Sequence, residues 1–409
     1  MMRIGDRERL IRISGAGVLA VFLAVAFGPE DASAELGFTE FALTDTSLNS
    51  RPETDFWIAS AAPADVDGDG DLDMLIAGYY VVYFGWVEDR ITLYRNDGPA
   101  GDSVWALTPV PVDAAGLYFG AGDIAWGDYD NDGDPDVAVA SRFALTLYRN
   151  DDGALVRTST ALPEYEEDSD FSTMDLHSVS WADFDNDGDL DLLVPSVVSG
   201  FDRLPTQLLR NDGAGVGDAW TFTDVTADLP IAANGVSAWA DLEGDGDLDL
   251  LLGNVSAYGD NFLCTYTNDS GTLVLADSGL ALIRYGTADW GDADNDGDLD
   301  IVYGGNLDLP GEGGGETVVR ILFGDAQGGY TPFDVVHEFE SPEEPWLDFT
   351  AVTWADYDSD GDVDLLVSGE WLGDGEIFGR SLVYGNTGGV FAAASEPLPA
   401  PIGGNAGGA

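Results

Sequence analysis

The stretch Asp183 to Val194 reads DFDNDGDLDLLV, an acidic nine-residue loop that runs straight into an apolar strand. The same loop recurs as DVDGDGDLD (Asp65 to Asp73), DYDNDGDPD (Asp128 to Asp136), DLEGDGDLD (Asp241 to Asp249), DADNDGDLD (Asp292 to Asp300) and DYDSDGDVD (Asp356 to Asp364). Carboxylates at alternate positions 1, 3 and 5, followed by glycine at 6, are the spacing by which a tight loop turns oxygens onto one hard cation. Ca²⁺ takes about six to eight oxygens at ~2.3–2.6 Å, and the glycine permits the sharp turn. Position 7 would add its backbone carbonyl, and the acid at position 9 would close the shell. No His or Cys enters any loop, which favours Ca²⁺ over Zn²⁺.

The candidate metal-binding residues follow loop by loop. They are Asp65, Asp67, Asp69, Asp71 and Asp73; Asp128, Asp130, Asp132, Asp134 and Asp136; and Asp183, Asp185, Asp187, Asp189 and Asp191. The later loops add Asp241, Glu243, Asp245, Asp247 and Asp249; Asp292, Asp294, Asp296, Asp298 and Asp300; and Asp356, Asp358, Asp360, Asp362 and Asp364. Up to six Ca²⁺ ions are expected, with Glu243 giving the fourth loop a longer reach and a weaker site. An EF-hand is excluded, because it needs a bidentate Glu at position 12 and an exiting helix. Position 12 here holds Ile76, Val139, Val194, Leu252, Tyr303 and Val367. The runs after the loops (MLIAG, VAVAS, LLVPS, LLLGN, IVYGG and LLVSG) read as short strands buried on both faces.

Working outward, the first aspartates stand at 65, 128, 183, 241, 292 and 356, a period that marks a repeat architecture. Five repeats carry a tryptophan two residues before the first Asp: Trp126, Trp181, Trp239, Trp290 and Trp354; the first has Pro63. At this fixed register the tryptophans are expected as filler between adjacent units rather than as a ligand platform. Beyond the apolar strand comes a second one ending in a turn: LYRNDG (Leu93 to Gly98), LYRNDDG (Leu147 to Gly153), LLRNDG (Leu208 to Gly213) and TYTNDSG (Thr265 to Gly271). Asn, Asp and Gly there suit turns that need positive φ. A more polar fourth strand follows, clearest at FTDVTADLP (Phe222 to Pro230). Each unit therefore reads as four antiparallel strands, and such sheets at this period are the blades of a β-propeller. The expected fold is all-β with six blades, seven being the alternative. Gly37 to Asp45 is expected as an extra outer strand that completes the last blade or seeds a seventh.

The loop D-x-D-x-D-G-D-x-D, with its preceding aromatic, the following L-L-V-x-G and the Asn-Asp-Gly turn, resembles the FG-GAP/VCBS repeat family. That family includes the calcium-binding propeller of integrin α subunits and many secreted bacterial proteins. The resemblance covers nearly the whole chain after the leader. It implies Ca²⁺ held by the side chains at positions 1, 3, 5 and 9 and the carbonyl of position 7. The Phe-Gly and Gly-Ala-Pro signatures of integrins are not evident, which places the chain nearer the bacterial VCBS type.

Composition sets the remaining expectations. Residues 1–34 have the order of a secretory signal: Arg3, Arg7, Arg9 and Arg12, then an apolar stretch from Gly15 to Phe27, then Ala32-Ser33-Ala34 as a cleavage site. The propeller is expected over 35–400 and a flexible tail over 401–409. No later segment is long and apolar enough to cross a membrane as a helix. The formal net charge is −61, from 76 acids against 15 basic residues, and all the basic residues are arginine. Such a chain repels nucleic acid and anionic lipid. Thirty of the 76 acids sit in the six loops, so metal binding accounts for much of the charge. Cys264 is the single cysteine, which leaves no intrachain disulfide and places stability on the core and on metal. The insertions Glu164 to Asp170 and Gly311 to Glu316 are expected as solvated loops.

The function expected from these features is a secreted calcium-binding propeller that recognises an extracellular protein or glycan. His177 and His337 share no motif, and no nucleophile motif is present. Glycoside hydrolysis needs only two carboxylates, so a calcium-dependent polysaccharide hydrolase or lyase is the alternative. The recurring acids, however, are already committed to loops with ligand spacing.

Overall fold

The computed structural model describes the strands and acidic loops between Phe56 and Ala393, with Glu8–Leu10, Phe22–Val25 and Thr39–Glu40 before them. Several connecting segments lie outside the described residues, among them 26–38, 41–55, 159–173, 308–316 and 336–345. His177, His337, both insertions, the signal cleavage site and the tail fall there too.

The protein is all-β, with six four-stranded antiparallel sheets whose strand order is the one expected of propeller blades. Blade 1 comprises Phe56–Ala64, Asp73–Val82, Trp86–Pro99 and Trp105–Pro111. Blade 2 comprises Asp123–Gly127, Asp136–Ala140, Leu145–Asp151 and Ala154–Arg157. Blade 3 uses Ser180–Ala182, Asp191–Val194, Gln207–Ala214 and Trp220–Asp224. Blade 4 uses Val236–Ala240, Asp249–Asn254, Phe262–Asn268 and Leu273–Ala281. Blade 5 is Ile283–Gly291, Asp300–Leu307, Thr317–Gly324 and Tyr330–Asp334, and blade 6 is Trp346–Ala355, Asp364–Gly373, Glu376–Thr387 and Val390–Ala393. In every blade the strands pair in chain order, and an acidic loop joins the first strand to the second.

The chain divides into two compact units. One holds residues 43–260 and 264–278, and the other holds 1–42, 261–263 and 279–409. Within the second unit the first strands of blades 5 and 6 meet in a short parallel pairing at Gly286 and Thr350. The expected outer strand at Gly37 to Asp45 is corrected in part. Thr39–Glu40 pairs with Phe22 and Leu23, and blade 6 takes its fourth strand from Val390–Ala393. Blade 6 is complete without the leading segment because its third strand turns back at once through Gly388 and Gly389, both at positive φ.

Burial runs as a gradient across each blade. In blade 2 the second strand is wholly buried, as expected of the run DVAVA, whereas the outer strand alternates mostly exposed positions. The core lies between facing blades rather than inside one. Leu75, Leu93, Ile124, Val137 and Val139 join blades 1 and 2, and Ala138, Leu147, Leu192 and Leu209 join blades 2 and 3. A third such layer, with Val302, Ile321, Leu365 and Val367, joins blades 5 and 6.

Trp126, Trp181, Trp239 and Trp354 are interblade filler, and the first three also carry a hydrogen bond. Trp126 Nε1 donates to Ala62 O at 3.1 Å, Trp181 Nε1 to Ala125 O at 3.0 Å and Trp239 Nε1 to Ser180 Oγ at 3.2 Å. Each thus reaches back to the first strand of the preceding blade. Glycine makes room for this ring twice. A Cβ on Gly127 would lie 2.8 Å from Trp181 Cδ1, and one on Gly291 would lie 2.7 Å from Trp354 Cδ1.

Candidate metal centres

The six loops share one backbone path at their described positions. Glycine at position 6 has φ between +93° and +102° in every copy, the left-handed region that side chains avoid. Position 4 is also left-handed where described: Gly68, Asn131, Asn186, Gly244 and Asn295 lie between +58° and +71°. The sequence reading missed position 4. Its signal was the alternation of Gly and Asn there, the residues that tolerate this conformation best.

The turn is held by the acids themselves. Oδ2 of position 1 accepts the position 6 N–H, as in Asp183 with Gly188 at 3.1 Å and Asp65 with Gly70 at 3.0 Å. The carboxylate of position 5 accepts the position 7 N–H at 2.9–3.0 Å in all six copies. These contacts orient the remaining oxygens inward. Five loops bring three carboxylates together, with one ligand atom of each within 4.8 Å of the others. The groups are Asp65, Asp67 and Asp69; Asp128, Asp130 and Asp136; Asp183, Asp185 and Asp191; Asp292, Asp294 and Asp300; and Asp356, Asp358 and Asp360. Positions 1 and 3 thus recur in all five, joined by position 9 in three and by position 5 in two.

Other expected ligands sit elsewhere. No position 7 side chain belongs to these groups. Asp189, Asp247 and Asp362 instead accept a hydrogen bond on Oδ1 from the preceding loop. In the fourth loop Glu243 hydrogen-bonds Asp249 and is pushed up to about 7, by burial first and then by the Asp249 charge. Asp67 is engaged from outside the loop, since Arg95 Nε lies 2.7 Å from its Oδ2.

Position 9 is buried in every copy. Its Oδ2 accepts the position 2 N–H of the same loop, and its Oδ1 accepts a backbone N–H from the end of the third strand. Asp191, for example, takes Phe184 N at 3.1 Å and Asn211 N at 2.8 Å. Burial pushes Asp136 and Asp191 up to about 7 and Asp73 and Asp300 up to about 6, with the two backbone donors pulling the other way. An anionic cup of this kind is costly to bury alone and gains from a cation at its mouth.

The residues fit such a cation on one further observation. Oδ1 of Asp65, Asp183, Asp185 and Asp292 is buried and accepts no hydrogen bond. Buried oxygens are almost always partnered, and these four belong to the convergent groups. They have the hardness and the inward aim that a calcium ligand needs.

The turns supply positive φ as expected, on the residues after the asparagine: Asp152 and Gly153 or Ser270 and Gly271. The asparagines themselves are buried, and Asn150, Asn211, Asn268 and Asn386 donate to the loop of the blade before.

Comparison with known proteins agrees with this repeat. No curated protein matches the chain. Among solved structures it is similar to the fungal lectin of Aleuria aurantia, a six-bladed β-propeller, at 13% identity over 85% of this chain and 96% of the lectin, with a TM-score of 0.44. It is also similar to the Vibrio cholerae biofilm matrix protein Bap1, at 14% identity over 74% of this chain and 42% of that one, with a TM-score of 0.36. The FG-GAP-like repeat family matches residues 128–194, from the start of the second loop to the end of the apolar strand after the third. Residues 128–194 therefore carry an FG-GAP-like repeat, and the second and third acidic loops lie within it.

Proposed function

We propose that this protein is a secreted β-propeller that binds Ca²⁺ through its acidic loops and serves as an extracellular binding or adhesion module for protein or glycan. The observation that carries the metal reading is the set of buried, unpartnered Oδ1 atoms on Asp65, Asp183, Asp185 and Asp292, each in a group of three converging carboxylates. Ca²⁺ suits an irregular shell of carboxylates and a backbone carbonyl better than Mg²⁺, which demands a near-ideal octahedron. Positions 1, 3, 5 and 9 would hold it, with the carbonyl of position 7, and the ion would supply charge compensation and rigidity rather than chemistry.

The binding role is supported by how the acids are used. Asp136, Asp191 and Asp300 are held at the raised pKa that a general acid needs, yet all three are fully buried with both oxygens on backbone N–H groups. A carboxyl in that position serves the loop and cannot reach a substrate. Export rests on the leader, with the mature chain starting at Glu35.

Elemental analysis of protein dialysed against Ca²⁺ buffer tests the metal reading: several bound ions per chain are expected, and fewer than one would end it. A glycan array and a hydrolase substrate panel, both run with Ca²⁺, test the role. Binding without turnover is expected, and turnover of a polysaccharide would replace the module by an enzyme. Mass spectrometry of the exported form should find its first residue at Glu35.

A further inference from the structure

The loops are not separate. Asn211, in the turn that ends the third strand of blade 3, is fully buried. Its backbone N–H donates to Asp191 in the loop of its own blade at 2.8 Å. Its Nδ2 reaches across to the loop of blade 2, donating to Tyr129 O at 2.9 Å. The Tyr129 N–H in turn donates to Asp136 Oδ2 at 3.2 Å. One side chain and one peptide group therefore join the position 9 carboxylates of neighbouring loops. Asn150 repeats the link between loops 1 and 2, Asn268 between loops 3 and 4, and Asn386 between loops 5 and 6, each through an Nδ2–O contact of 2.7 Å.

A second link runs nearer the surface. Asn186, at position 4 of loop 3, donates from Nδ2 to Oδ1 of Asp247, at position 7 of loop 4, at 2.5 Å. Asn131 does the same to Asp189 at 2.7 Å, and Asn295 to Asp362 at 2.6 Å. Position 7 is the residue whose carbonyl is expected in the metal shell. The two links thus hold, in one loop, both residues that close the shell in the next.

Ordering one loop should therefore lower the ordering cost of its neighbour, which is a coupling free energy even without a change of shape. Resting on the calcium reading above, we propose that these asparagines are positioning residues that make metal binding cooperative between neighbouring loops within each compact unit. A residue that only braced the turn would affect stability and leave the loops independent.

Calcium titration of the full-length protein by calorimetry separates the two. The wild type should bind with a Hill coefficient above one. In the double variant Asn131→Gly, Asn186→Gly the coefficient should fall toward one, and the affected loops should weaken by about fivefold, the lower end of typical couplings, with the number of ions unchanged. Folding is safeguarded in this variant because glycine already occupies position 4 of loops 1 and 4 with the same left-handed backbone. Asn211→Ala should act in the same direction through the buried link. A wild-type coefficient of one, or a coefficient that both variants leave unchanged with the full complement of ions bound, overturns the coupling and leaves the calcium reading standing. Absence of bound calcium in the wild type removes both.

Discussion

Chelation should lower the melting temperature, and the size of the effect can be worked from one loop. In loop 3 the ligand oxygens of Asp183, Asp185 and Asp191 lie within 4.8 Å of one another. Two ionised carboxylates at that distance repel by about 3.5 kcal/mol at an effective dielectric constant near 20. The metal-free loop therefore holds a repulsion of several kcal/mol that a divalent ion removes. By mass action, Ca²⁺ at about a hundredfold excess over Kd stabilises the fold by ~2.7 kcal/mol per site. At about 2–4 °C per kcal/mol for a unit of this size, each filled loop should raise the melting temperature by roughly 5–10 °C. The assay is a thermal scan by circular dichroism in EDTA and again in excess Ca²⁺. Coincident curves would refute the structural role of the loops. Asp183→Ala gives the internal control: with the repulsion relieved, partly offset by the lost hydrogen bond from Gly188, the EDTA curve should not fall, while one loop's share of the calcium shift should be lost. Equal lowering of both curves would mean that Asp183 acts only through its hydrogen bond from Gly188.

Three further outcomes are expected. Gly127→Val should destabilise by about 1–3 kcal/mol, the usual penalty of overpacking, because its Cβ would sit 2.8 Å from Trp181 Cδ1; urea unfolding that matched the wild type would contradict this. Cys264 is buried, and burial pushes its thiol up to about 11, so iodoacetamide near neutral pH should leave it unmodified until the protein unfolds. In EDTA, stability should fall as pH rises from about 4 to about 7. Asp136 and Asp191 hold folded values near 7 against 3.8 ordinarily, so the fold favours their protonated form, and that contribution is lost as they ionise. A urea midpoint that climbed over this range would be inconsistent with their burial.

The sequence by itself determined the strand order of each blade, the loop glycine and the tryptophan register, and left the number of blades at six or seven. These are local or strictly periodic features: an apolar run such as DVAVA is buried on both faces wherever it lands, and a left-handed turn selects Gly at position 6 in every copy. The acids at positions 1 and 3 were legible for the same reason, since alternate spacing in one tight loop brings them together without help from the rest of the chain. Tertiary structure decided which partners close each group. Position 9 converges with positions 1 and 3 in loops 2, 3 and 5 but not in loops 1 and 6, and Arg95 claims Asp67 in loop 1. It also decided what the turn asparagines do. Asn211 and Tyr129 are separated by 82 residues, and Asn186 and Asp247 by 61. Only the face-to-face packing of successive blades sets those groups a hydrogen bond apart, and no spacing within a single repeat encodes a distance between two.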